Sequence, residues 1–365
     1  MRQRRRTASI RFRRFVKIAA SRLSPPVPLV CRVSLARAMN DSFPPFRPPA
    51  WLRSGHMQTL AALALVGPRP PKTPVRHRVR LDDGDTLVLT EDRPPSWRDG
   101  DRAAMLVHGL AGCHLSPYMR RIAHKLARAG VRTFRLDLRG CGAGEGLARL
   151  PYHAGLTADL RVALAEVARQ CPRSSIALVG FSLGGNLVLK LLGETAGAPA
   201  GVDRAAAICP PIDLAVCCRS LERGLARWYD RHFVALLSKK AQAELRRLAE
   251  QNGGKLARPR TLYEFDDCYT APVSGFRGAE HYYRESSAAA YLGSIRVPTT
   301  ILAARDDPVV PPSIFAGVAW PAAVRFVETE HGGHLGFIAR RGADPDRCWM
   351  DWRVVGWATT TAPSS

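Results

Sequence analysis

The stretch LVGFSLGGNLVLKLLGE (178–194) joins an apolar run to a helical run through one glycine-flanked serine. Ile176 to Val179 is a short run of strand formers, and Asn186 to Leu192 sets leucines and Val188 at helical spacing. The segment therefore predicts strand, sharp turn, helix. Gly180, Ser182 and Gly184 make Gly-x-Ser-x-Gly, the spacing at which a strained turn lifts a serine hydroxyl clear of a sheet. The helix behind it aims backbone N–H groups and its positive dipole end at that hydroxyl, where negative charge develops in acyl transfer. With 30 glycines in the chain, chance supplies about 0.1 such pentapeptides. The competing account is an ordinary glycine-rich loop. The flanking strand and helix favour the nucleophile.

A serine hydroxyl is a poor nucleophile at neutral pH, so it needs a histidine base and a carboxylate to orient that base. On a strand-turn-helix site of this kind they follow in the order Ser, Asp, His. VPTTILAARDDPVVPP (297–312) reads as a buried strand ending in a carboxylate loop, and VRFVETEHGGHLGFI (324–338) as a last strand followed by a glycine-flanked histidine. The candidates are Asp307 and His334, with Asp306 and His331 as their near neighbours. Asp-Asp-Pro alone is common turn chemistry, and a histidine among glycines is often only a loop residue. Three signals in the required order, each at the carboxyl end of a predicted strand, outweigh those separate readings. Neighbouring residues in extended chain point in opposite directions, so one acid alone belongs with the base. Pro308 restricts Asp307 to extended conformations, which favours it. Asp306 is expected to accept backbone N–H bonds in the turn.

The oxyanion donors are expected from AAMLVHGLAGCHLSPYMRRIAHKLARAG (103–130), a strand, a loop and an amphipathic helix. The backbone N–H groups of Leu110 and Leu183 are the candidates. His108, on the strand side of the loop, reads as structural. Strand and helix patterns alternate from about 103 to 210, which implies an α/β fold with a mostly parallel central sheet and helices on both faces. VRHRVRLDDGDTLVLTED (75–92) adds an antiparallel hairpin turning at Asp83-Gly84. The alternation breaks between about 214 and 292, where the composition is helical. That insertion is expected to form a cap over the carboxyl ends of the strands.

RPPAWLRSGHMQTL (47–60), VHGLAG (107–112), RGCGAGEG (139–146), YHAG (152–155), VGFSLGGN (179–186), ARDDP (304–308) and GGHLGF (332–337) occur in that order. Together they resemble the YheT-like branch of the α/β-hydrolase superfamily, related to the ABHD-type lipases and esterases. The resemblance implies a serine esterase acting on short- or medium-chain acyl esters or acylglycerols, without metal or cofactor. It also implies an alternative, acyl transfer to an alcohol through the same acyl-enzyme. Asp307 lies four residues before Pro311, a spacing common for the orienting acid of that superfamily. Tyr152 and His153 match a branch motif and are expected to brace a loop.

The chain of 365 residues, 46% hydrophobic, is long enough for one large core, with a hydrolase domain at 41–359. Nine cysteines without paired spacing argue against a zinc site or disulfide framework and for a reducing, cytoplasmic setting. Cys113 and Cys141 fall in loops near the predicted site. The net charge is +23, and residues 1–40 hold eleven basic residues and no acid. This stretch is expected to be disordered, as is 360–365. A targeting segment, a tether to an anionic surface and a start codon at Met39 are the three readings of it. The basic balance also keeps open a second class, a nucleic-acid or anionic-membrane binder on a hydrolase scaffold, with KKAQAELRR (239–247) as a further patch. A solvated helix face explains that patch more simply. The expected partner is a small-molecule or lipid ester, with no specific nucleic acid and with peripheral contact to an anionic membrane left open.

Overall fold

The structure, a computed structural model, describes residues 44–360 except 70–72, 195–197, 243–244, 247–249 and 251–257. The readings of residues 1–40, of Met39 as a start, of 361–365 and of part of 239–247 lie outside the described residues. Eight strands form one sheet: β1 (Val75–Arg80), β2 (Thr86–Asp92), β3 (Ala103–Val107), β4 (Arg132–Asp137), β5 (Ile176–Phe181), β6 (Val202–Ile208), β7 (Thr299–Ala304) and β8 (Val324–Thr329). Their order is β1-β2-β4-β3-β5-β6-β7-β8. From β4 to β8 every pairing is parallel, while β1–β2 and β2–β4 are antiparallel, with Arg80 opposite Thr86 across the predicted turn.

The centre of the sheet follows from composition. β3 and β5 carry no charged residue and are buried throughout, as parallel strands covered on both faces must be. Ala103, Met105 and Val107 point into one core, and Ala104 and Leu106 into the other, the period of two that a strand imposes. The helices flanking the sheet are α1 (Gly55–Ala64), α2 (Pro117–Arg128), α3 (Thr157–Gln170) and α4 (Leu183–Glu194), followed by α5 (Leu214–Leu221), α6 (Arg227–Lys240), α7 (Ala279–Ser286) and α8 (Trp349–Thr359). Between β6 and β7 the described residues form helices and turns and no strand.

The strand–helix alternation expected to about residue 210 ends in β6, which runs from Val202 to Ile208. Cys209 turns to φ 48°, and Pro210 and Pro211 lack the N–H needed to extend the ladder.

The helix α8 is clamped to α2 by a buried charge group. Asp351, fully buried, accepts from Arg121 Nε at 2.8 Å and Lys125 Nζ at 2.9 Å. Burial alone would raise the Asp351 pKa, but the Arg121 and Lys125 charges outweigh it and hold the carboxyl below its ordinary value. Asp351→Ala should cost about 3 kcal/mol, because it leaves the buried Arg121 without a carboxylate, while Lys125 keeps Asp346 at 2.8 Å. The native carboxylate contributes stability above the unfolded value of about 3.9, and this is lost as pH falls through the lower folded value. Denaturant titrations near neutrality and below pH ~3 should therefore show the wild-type advantage over Asp351→Ala shrinking in acid. An equal advantage at both would contradict this account.

Candidate active site

Ser182 sits between β5 and α4 at φ 50°, a left-handed conformation that a side chain other than glycine's rarely adopts. The turn is held by its surroundings. Ser182 N–H donates to the Ile208 carbonyl at 2.8 Å, and its own carbonyl accepts from Gly185 N–H at 2.8 Å and Asn186 N–H at 3.1 Å. A Cβ at Gly180 would overlap the Gly184 carbonyl, and one at Gly184 would overlap the Val107 carbonyl, so the two glycines permit the packing around the serine. Asn186 ties the elbow helix to its surroundings. Fully buried, it donates to the Ala154 and Ser286 carbonyls at 3.1 and 2.8 Å and accepts from Ala288 N–H at 2.9 Å.

The loops after β7 and β8 bring the predicted acid and base to the serine. His334 Nε2 lies 2.9 Å from Ser182 Oγ, and His334 Nδ1 lies 2.9 Å from Asp307 Oδ2. The other oxygen of Asp307 accepts from Val309 and Val310 N–H at 2.8 and 2.9 Å, which fixes the carboxylate plane. Asp306 points away. Its Oδ1 accepts from Gly333 N–H at 2.9 Å, and Oδ2 lies 3.4 Å from His331 Nδ1. Two Asp–His pairs thus stand side by side, and only one reaches Ser182. Gly333, at φ 57°, lies where a Cβ would overlap the Gly55 carbonyl, so the histidine loop is pressed against α1.

That contact reveals positioning groups for which the sequence reading assigned no role. Thr59 Oγ1 accepts from His334 N–H at 2.8 Å while donating to the Gly55 carbonyl at 2.7 Å. Gln58 exchanges hydrogen bonds with both backbone groups of Ile338. The available signal was the GHMQT segment within RPPAWLRSGHMQTL.

Leu110 and Leu183 both line the cavity beside Ser182. No protein acceptor is found for the N–H of either among the described residues. The loop carrying Leu110 is braced by two tyrosines: Tyr118 Oη accepts from Gly109 N–H at 3.0 Å and Tyr152 Oη from Ala111 N–H at 2.7 Å. His108 is fully buried between the Gly109 carbonyl at 2.8 Å and Leu138 N–H at 3.3 Å. Burial pushes it down to about 4, so it is neutral near pH 7. His153 is also pushed down to about 4 by burial, and its Nδ1 accepts from Gly155 N–H at 3.2 Å.

A cavity of about 400 Å³ opens from Ser182, within the usual range of small-molecule sites. Its far wall comes from the segment between β6 and β7: Leu214, Phe233, Leu237, Tyr269 and Tyr282. Asp266 is the polar surprise in that wall. It accepts from Tyr283 Oη at 2.8 Å, and burial pushes its carboxyl up to about 7 despite that bond and one from Thr270. Of the two flagged thiols, Cys141 is buried and pushed up to about 12, with Lys240 Nζ at 3.7 Å, and Cys113 is also raised by burial.

A family model for the alpha/beta hydrolase fold matches residues 105–340. The Escherichia coli (strain K12) protein YheT is 33% identical over 86% of this chain and 93% of its own. The mouse (Mus musculus) monoacylglycerol lipase ABHD2 is 28% identical over 85% of this chain and 78% of its own. The Saccharomyces cerevisiae (strain ATCC 204508 / S288c) medium-chain fatty acid ethyl ester synthase/esterase 2 is 29% identical over 69% and 62%. Among solved structures, the 2,6-dihydroxy-pseudo-oxynicotine hydrolase superposes with a TM-score of 0.52 at 17% identity, over 85% of this chain and 74% of that one, a likeness of fold alone. On the extent of the family match and the identity to YheT, the chain belongs to the α/β-hydrolase fold family, in its YheT-like branch.

Proposed function

We propose that the chain is a serine hydrolase of short- and medium-chain carboxylic esters or acylglycerols, working through an acyl-enzyme on Ser182. The observation that carries this reading is the hydrogen-bonded line Asp307–His334–Ser182 with Ser182 in the wall of a cavity of about 400 Å³. His334 Nε2 takes the Ser182 proton as Oγ attacks the ester carbonyl carbon. The resulting oxyanion is met by the N–H groups of Leu110 and Leu183. Collapse of the adduct breaks the ester C–O bond, and His334 returns the proton to the departing alcohol. Water, deprotonated by the same imidazole, then cleaves the acyl-enzyme to acid and free serine. Asp307 holds the ring in the tautomer that keeps Nε2 unprotonated, and it stabilises the imidazolium.

The substrate class draws support from relatives named for fatty acid ethyl esters and monoacylglycerols. The segment 214–292 serves as the cap that bounds the acyl pocket, within a hydrolase domain at 41–359 in a cytoplasmic protein. Acyl transfer to an alcohol is the second reading. The yeast relative's name joins synthase to esterase, and an alcohol can attack the same intermediate.

A series of p-nitrophenyl esters from acetate to palmitate, run alongside fluorophosphonate labelling, tests the proposal. The specificity constant should rise through the medium-chain esters, each buried methylene contributing up to about 0.8 kcal/mol, and then fall once the pocket is full. Absence of both turnover and labelling would refute the enzyme assignment, and a maximum at palmitate would refute the chain-length class.

A further inference from the structure

The helix α1, GHMQTLAALA, buries two polar residues, Gln58 and Thr59, and leaves two large apolar ones, Met57 and Leu63, outside. The reason lies beneath it: the histidine loop donates to Thr59 Oγ1 and exchanges hydrogen bonds with Gln58, so polar residues are needed on the inner face. The apolar residues left outside are uncovered. Trp51, Met57, Leu63 and Val66, with Leu225 and Trp228 from the segment between β6 and β7, are 49% to 76% exposed. The two segments adjoin where His56 stacks on Tyr229 at 5.7 Å between ring centres, with Nδ1 3.2 Å from the Tyr229 hydroxyl. Single exposed apolar residues are ordinary; a group from two adjoining segments, with two tryptophans, marks an interaction surface.

The charge around it is predominantly basic. Residues 44–69 expose Arg47, Arg53 and Arg69 and contain no acid. Residues 222–232 expose Arg223, Arg227 and Arg231 against one exposed acid, Glu222, while Asp230 is buried. None of the six arginines has an ion-pair partner among the described residues. Apolar side chains flanked by unpaired arginines and tryptophans match a lipid boundary, where acyl chains lie under anionic headgroups and indole rings sit between them. Among the described residues no helix is long and apolar enough to cross a membrane.

We propose that this face docks on anionic lipid bilayers, with Trp51, Leu63, Val66 and Trp228 entering the headgroup boundary and the arginines meeting lipid phosphates. Docking there sets the cavity next to the membrane, because α6 carries Trp228 outward and Phe233 and Leu237 into the cavity wall.

Flotation of the full chain with vesicles of phosphatidylcholine plus phosphatidylglycerol, against phosphatidylcholine alone, tests this. Wild type should float with the anionic vesicles and far less with the neutral ones. The double variants Leu63→Glu/Val66→Glu and Trp51→Ser/Trp228→Ser should each partition about tenfold less. Both should keep the wild-type melting temperature and the wild-type rate on a soluble short-chain ester. Failure of wild type to float would overturn the proposal, as would undiminished flotation of both variants, which would assign binding to the basic leader. Self-association of wild type abolished by the same variants would also overturn it, by giving the face to a second copy of the chain.

Discussion

Replacing Ser182 with alanine is expected to abolish ester hydrolysis and fluorophosphonate labelling while the fold persists. Without Oγ there is no atom to carry the acyl group, so the covalent route is closed and not merely slowed. Removal of a nucleophile from a working triad costs on the order of 10⁴ to 10⁶ in turnover, and the residual rate comes from the oxyanion donors and from binding. The structural change is small. The elbow is held through backbone hydrogen bonds from Ser182 to Ile208, Gly185 and Asn186, all of which alanine keeps. The one side-chain hydrogen bond lost, to His334, is worth about 1 kcal/mol. A purified Ser182→Ala protein should thus melt within a few degrees of wild type and show no labelling. Retention of more than a few per cent of the wild-type rate, with contaminating esterases excluded, would refute the assignment.

The parts of this molecule that were legible in the sequence are those where polarity and position agree. β3 and β5 are apolar runs because both faces are covered, and the elbow is a glycine motif because the backbone is crowded there. The misses share one cause. In α1, Gln58 and Thr59 are inside and Met57 and Leu63 outside, so apolar periodicity marks the wrong face and the helix goes unread. In α8 the fully buried polar residue is Asp351, neutralised by Arg121 and Lys125 from a helix more than two hundred residues earlier. Asp266 was hidden for the same reason, since only the fold reveals that a carboxyl in EFDDCYT faces the cavity with tyrosines about it. Where a polar group is buried by partners distant in sequence, local patterning has no means to show it.

Asp307→Asn should retain the fold and lose about 10⁴ in turnover, whereas Asp306→Asn should leave the rate within a small factor of wild type. Neighbours in sequence, the two acids answer to different geometry. Asp307 Oδ1 accepts from Val309 and Val310 N–H, and an asparagine oxygen can keep both bonds. Its amide nitrogen then takes the place of Oδ2, 2.9 Å from His334 Nδ1, and donates where the carboxylate accepted. The imidazole is forced to carry its proton on Nε2, the atom that must take the proton of Ser182 at 2.9 Å. Proton transfer from the nucleophile is blocked while every neighbouring group stays in place. Asp306 has another audience. Its Oδ1 holds Gly333 N–H, a bond an asparagine oxygen can keep, and its Oδ2 faces His331, so an asparagine there alters only the second pair, with no contact to Ser182. The histidines should divide in the same way, with single-turnover acylation lost in His334→Ala and kept in His331→Ala. A well-folded, inactive Asp306→Asn beside an active Asp307→Asn would move the acid by one residue and leave the serine–histidine chemistry standing.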